Sequence, residues 1–219
     1  MIRFFSPLNL VLLALLAAVT IAGFLLTPAG VPLAVHWGLN GEVDGTLPRD
    51  LALLGLPVVL ALIWGVLWLA MRYGSGGRPE AAASVMNVVI PAITGLLLLV
   101  QALVVLTGMG IAVNVVQAVV IGMAVLQIVL GNVMPKSQPN WIAGIRINST
   151  LSDPANWTAT HRFAGLLLIV AGVLLLAAAL LLPVGVWLLV AALAAWLLPL
   201  GLAAAYSQRF AHTHQRTAS

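Results

Sequence analysis

Cysteine is absent from the 219 residues, which excludes disulfides and thiolate chemistry and leaves the compartment open. Charge is nearly as scarce. Only 6% of the residues are charged and five are acidic, where soluble domains carry roughly 25% charged residues. A chain this poor in charge cannot cover a water-facing surface, so much of its surroundings must be lipid. No acidic or basic residue lies deep in any of the long apolar runs, which argues against a proton- or ion-driven transporter. No G-x-S-x-G signature is present, and the oxygens that an EF-hand needs in fixed register are missing.

Hydrocarbon fills the space those absences leave. Hydrophobic residues make up 63% of the chain. Six runs reach the length of about 20 residues that spans a bilayer: Leu8–Leu26, Leu51–Met71, Val85–Leu106, Val113–Val133, Phe163–Leu182 and Val184–Tyr206. In lipid each must be a helix, because only a helix satisfies its own backbone. The predicted fold is therefore all-α, an integral membrane bundle of six transmembrane helices forming one membrane domain over residues 1–219. The run after Arg3 has the charged start of a signal peptide. It is long for that role and no clean cleavage site follows, so it is read as a retained first span.

The basic residues set the orientation. With the N-terminus inside, Arg3, Arg72, Arg78, Lys136, Arg146, Arg162, Arg209 and Arg216 all fall inside, and only Arg49 falls outside. That asymmetry predicts an N-in, C-in protein with residues 27–50 as an outer loop and residues 131–165 as a cytoplasmic loop. It also accounts for the pI of about 10.8 without nucleic-acid binding. Two glycosylation sequons, at Asn148 and Asn156, fall in the cytoplasmic loop and are discounted.

Within the spans, Pro57, Pro91 and Pro199 favour kinks, and Trp64, Trp68, Trp187 and Trp196 suit interfacial anchoring or packing. Gln101 and Gln117 lie equally far from Met109, so an antiparallel hairpin would bring them to one depth to bond each other. Asn87 and Asn132 approach the inner end of the same hairpin.

Two polar stretches carry the chemistry. The outer one contains His36, Trp37, Asn40, Gly41, Glu42 and Asp44 around an Asn-Gly turn, with Gly38 and Gly45 beside it. It reads as a self-capped ordered turn, with a hard-cation site as the alternative. The inner one, Gly131–Gly165, holds Lys136, Arg146 and Arg162, cations suited to lipid phosphates or an acidic protein surface. Trp157, His161 and Gly165 recur every fourth residue and would share a helix face. Ser149, Ser152 and Thr160, with His161 and Asp153, supply the residue types of nucleophilic catalysis without a motif to organise them. No metal or cofactor is expected.

Together these stretches resemble the SdpI family of bacterial membrane immunity proteins. The outer resemblance is Val31, Pro32, His36, Trp37, Asn40, Gly41, Asp44 and Gly45. The inner one runs through Gly131, Asn132, Met134, Pro135, Lys136, Asn140, Gly144, Ile145, Arg146, Thr150, Leu151, Trp157, Thr160, His161, Arg162 and Gly165. One departure stands out: Asn148 and Ser149 occupy the place of the family's usual Pro-Trp pair. The resemblance implies a six-span protein of the bacterial cytoplasmic membrane that protects the cell from a secreted toxic peptide. It also implies a partnership with a small cytoplasmic transcriptional repressor, captured at the inner face. The outer-face motif is His36, Trp37, Asn40, Gly41 and Asp44, and on that analogy its His36, Asn40 and Asp44 belong to the toxin-facing side. The inner-face motif is Asn132, Pro135, Lys136, Asn140, Gly144, Arg146, Thr150, Trp157, Thr160, His161 and Arg162, of which Lys136, Asn140, Arg146, His161 and Arg162 shape the inner face on the same analogy. Two other readings remain open. One is a small permease for an amphipathic compound, with Gln101, Gln117 and Gln127 lining its path; the other is a membrane enzyme working from the cytoplasmic side.

Overall fold

A computed structural model describes residues 3–73 and 79–217. Arg78, counted above among the inner cations, lies outside the described residues, and of Arg216 only the backbone is described. The elements are α1 (Pro7–Leu26), β1 (Leu33–Trp37), β2 (Val43–Leu47), α2 (Arg49–Tyr73), α3 (Pro79–Gly108), α4 (Val115–Val133), a 3-10 turn (Met134–Lys136), α5 (Asn148–Leu151), α6 (Pro154–Leu181) and α7 (Val186–Thr217). All but α5 among the helices are long and apolar enough to cross a membrane, and each overlaps one of the six expected runs, which extend one or two residues past the helix in α4, α6 and α7.

The helix boundaries follow local chemistry. Ser6 caps α1 by accepting from Asn9 N at 3.2 Å, with Pro7 at the first helical position. Thr27 closes that helix, its hydroxyl donating to the Gly23 carbonyl at 2.6 Å. Asn114 caps α4 through Gln117 N. Asp153 caps α6 by accepting from Ala155 N at 2.8 Å, again with a proline next. The helices continue through Pro57, Pro91 and Pro199.

Helices α1, α2 and α3 pack as one group and α4, α6 and α7 as another, joined along α3 and α4. The first group closes at one end around Leu33, Leu53, Val104 and Val105. The second has its core at Val120, Ala124, Leu175, Ala179 and Leu188. The tightest contact is between α4 and α6 and depends on small residues, as in many membrane helix pairs. A Cβ on Gly131 would stand 2.7 Å from the Gly165 carbonyl oxygen, and one on Gly165 would stand 2.7 Å from that of Gly131. A Cβ on Gly172 would meet the Ala124 carbonyl at 3.0 Å.

Three sequence expectations are corrected. Gln101 and Gln117 do not bond each other. Gln101 is fully buried and donates to Thr20 Oγ1 (3.1 Å) and the Leu53 carbonyl (2.9 Å), tying α3 to α1 and α2. Gln117 donates to the Ala179 carbonyl on α6 at 2.8 Å. Equal depth did not imply facing positions. Next, the 131–165 stretch is not one loop. Residues 131–133 end α4, and 154–165 form about three turns of α6, because Asp153 and Pro154 start the helix well before hydropathy rises. Finally, the outer loop contains an antiparallel hairpin rather than a turn alone.

Candidate functional site

The polar residues gather at the two ends of the bundle. At one end, residues 134–151 fold onto the start of α6, and the buried Asn140 and Thr150 bond to the backbone of the segment itself. Asn140 organises the first bend: its carbonyl oxygen accepts from Ile142 N and Ala143 N, both at 2.8 Å, and its amide donates to the Gln138 carbonyl at 2.7 Å. Gly144 follows with φ of +110°, a conformation that L side chains rarely adopt. A side chain there would also collide with His161 Nε2.

His161 is fully buried, and its ring stacks on Trp157 at 4.0 Å between centroids and 18° between planes. Nδ1 lies 2.8 Å from the Trp157 carbonyl, which can only accept, and Nε2 accepts from Ile145 N at 3.0 Å. One nitrogen donates and the other accepts, so the geometry requires the neutral imidazole. Trp157, equally buried, donates from Nε1 to the Ser137 carbonyl at 3.1 Å. Thr150 donates to the Ile145 carbonyl at 2.7 Å and accepts from Ile147 N at 3.1 Å. Pro135 lies against Gly165, whose missing side chain leaves it room.

A second buried cluster joins α5, α6 and α7. Asn156 accepts from Thr160 Oγ1 (2.8 Å) and Ser207 Oγ (2.7 Å) and donates to the Ser207 carbonyl (2.9 Å). Ser149 lies 2.8 Å from the Ser207 hydroxyl. Ser149 thus supplies a polar tie to α7. Asn148 and Ser149 line a groove of about 470 Å³ with Ile147 and Gln208. Ser207 and Asn156 were absent from the sequence-derived site. Their signal was faint: single polar residues near the ends of long helices, with nothing to show that they face each other.

The expected inner set therefore divides. Asn140, Thr150, Trp157, Thr160 and His161 are buried struts, while Asn132, Pro135, Lys136, Gly144, Arg146 and Arg162 are exposed. Arg146 donates to the Trp141 carbonyl. Among the described residues no ion pair engages the three cations. Serine-histidine catalysis finds no assembly here, since both His161 nitrogens meet backbone groups. Ser152 donates to the Asn148 carbonyl, and Asp153 caps α6.

At the opposite end the hairpin pairs Leu33 with Leu47 and His36 with Gly45, with irregular register around His36. Gly41 turns the tip at φ of +79°, and a Cβ there would lie 3.4 Å from Val184 at the α6–α7 turn. His36 Nδ1 and Asp44 Oδ1 are 2.5 Å apart across the strands, and both side chains are exposed. Gly45 is required opposite His36, because a Cβ would come within 2.8 Å of the histidine Cβ. Asn40 and Glu42 are exposed, and Trp37 is half-buried. Among the described residues no group of three or more His, Asp or Glu could hold a metal ion.

These features define a multi-pass helical membrane protein with a hydrogen-bonded polar knot at one end and an exposed hairpin at the other. The family model described as the SdpI/YfhL protein family matches residues 136–204, the segment that holds most of the knot and the α6–α7 pair. Over that segment the chain is similar to the SdpI family, and the match supports an SdpI family protein. No curated protein and no solved structure matches the chain.

Proposed function

We propose that this is a non-enzymatic immunity protein of the bacterial cytoplasmic membrane. The hairpin would face the environment and engage a secreted toxic peptide, and the knot would face the cytoplasm. The observation that carries the reading is the family match over residues 136–204. The balance of charge supports the sidedness: Arg3, Lys136, Arg146 and Arg162 outnumber Glu80 and Asp153 at the knot end, and Glu42, Asp44 and Asp50 outnumber Arg49 at the hairpin end. Gln101, Gln117 and Gln127, the candidate lining of a permease path, each donate instead to a neighbouring helix. That leaves the immunity reading ahead of the transporter.

The exposed Lys136, Arg146 and Arg162 suit the phosphates of inner-leaflet lipid or the acidic surface of a small repressor, without direct contact to nucleic acid. Toxin binding would bias a two-state arrangement of the helices that the knot reports.

A deletion strain challenged with membrane-active peptides tests the reading. Complementation by the wild-type gene restores resistance, and His36→Ala or Asp44→Ala reduces it with membrane insertion unchanged. Full sensitivity despite wild-type complementation overturns it. If a repressor partner exists, Arg146→Ala and Arg162→Ala abolish its co-purification. Because the chain lacks cysteine, an Arg146→Cys variant reports sidedness directly: an impermeant thiol reagent leaves it unlabelled in intact cells. Labelling there reverses the orientation.

A further inference from the structure

Beneath the hairpin lies a cavity of about 560 Å³ that none of the motif residues predicted. Its size falls in the range of small-ligand pockets. Its walls are apolar side chains of α4 and α7, including Val120, Met123, Ala192 and Leu193. The hairpin forms its roof, seated at one side where Leu33 fills the space over Gly108 and at the other where Gly41 meets Val184. Along α7 the lining runs from Gly185 to Leu197, about 18 Å at 1.5 Å per residue. An elongated occupant suits that shape better than a compact one.

One polar feature distinguishes this cavity from the grooves between the helices. At the mouth, His36 engages Asp44 Oδ1, while Oδ2 stands 3.0 Å from the position of a Cβ on Gly38. The glycine leaves that oxygen uncovered. Arg49, the hairpin end's one cation, already binds Asp50 (3.0 Å) and the Thr27 carbonyl (3.2 Å). The carboxylate that lines the mouth is therefore Asp44, with Oδ2 left open beyond its contact with His36; it repels lipid phosphate and attracts a cation. Deeper, Trp196 contributes its ring to the lining, while its Nε1 is turned away from the accessible space.

We propose that the cavity between α4, α7 and the hairpin binds an apolar stretch of a cationic amphipathic peptide, with Asp44 at its mouth facing a lysine or arginine of that peptide. The assignment rests on the immunity reading, for which it names the peptide site and the chemistry recognised there.

The test uses the full chain in phosphatidylcholine vesicles. The probe is an 18-residue Leu/Lys amphipathic peptide carrying one benzophenone on its apolar face. It cross-links to residues 116–123 and 185–197, and the matching Leu/Glu peptide labels at least tenfold less. Ala192→Phe, which fills the cavity, lowers that labelling at least tenfold, and Asp44→Asn lowers it at least threefold. Met123→Phe replaces the first filling variant if Ala192→Phe is not monodisperse. Equal labelling by both peptides, or labelling unchanged by the folded filling variant, overturns the proposal. So does a photoactivatable phosphatidylcholine that labels the cavity undiminished by excess Leu/Lys peptide. Complementation separates this site from the broader reading. A filling variant that loses cross-linking yet keeps resistance removes the site and leaves immunity standing. Intact cross-linking without resistance in the complemented strain removes immunity and leaves the site.

Discussion

The two polar ends of this protein draw on similar residues and put them to opposite use. Each has a histidine, a tryptophan and asparagine within a short stretch. At the knot the histidine and tryptophan are fully buried and every polar atom of the pair is engaged. At the hairpin His36 is exposed and meets one carboxylate. Burial in a water-poor site makes an unpaired polar group expensive, so the knot must be complete to form at all. The hairpin's side chains can exchange partners with water at little cost, which leaves them available to a ligand. The same residue types thus act as struts at one end and as contacts at the other, and burial decides which.

Substitutions ranked by effect would break or sharpen that contrast. The largest loss is expected from Gly165→Leu, which drives a side chain into the Gly131 carbonyl and Pro135. Overpacking commonly costs about 1–3 kcal/mol, and a backbone obstacle cannot rotate away. The expected outcome is loss of a monodisperse peak on gel filtration. Asn156→Leu comes next, because it strands the buried Thr160 hydroxyl and leaves the Ser207 hydroxyl with Ser149 alone. A cost of about 2–3 kcal/mol follows from orphaned buried groups, read as a lower unfolding midpoint in detergent. His161→Phe keeps an aromatic stack on Trp157 but leaves Ile145 N without its acceptor, for about 1–2 kcal/mol in the same measurement. Asp44→Asn and His36→Ala, at exposed positions, shift the midpoint by no more than about 0.5 kcal/mol. If Asp44→Asn proved as destabilising as His161→Phe, the distinction between strut and contact would fail.

How much of this could be read in advance varies with the physical signal. Six apolar runs announce six spanning helices, since length and hydropathy leave a chain in lipid no other regular structure. The stacking of Trp157 and His161 was foreshadowed by their four-residue spacing. Partners across helices were not. Gln101 and Gln117 share a depth, yet helix rotation points one toward α1 and α2 and the other toward α6. Ser207 and Asn156 meet only because α6 and α7 pack side by side, a fact absent from either segment alone. The start of α6 escaped a hydropathy reading because capping by Asp153 and Pro154, not lipid, sets it. The hairpin was hidden by its brevity: two five-residue strands, one holding a glycine, sit inside a stretch that already looked like a turn. Trp196 was assigned to anchoring or packing, and nothing in its own helix indicated that it lines a cavity.

The glycine crossing of α4 and α6 has a mechanical corollary. Where two backbones touch without intervening side chains, no layer of rotamers remains to absorb a small displacement, so the pair moves as one lever or not at all. One arm of that lever forms a wall of the chamber under the hairpin, and the other begins at Trp157 and His161. A tilt started at the first would therefore reach the second through the glycine contact itself, bypassing the irregular chain between Lys136 and Asn148.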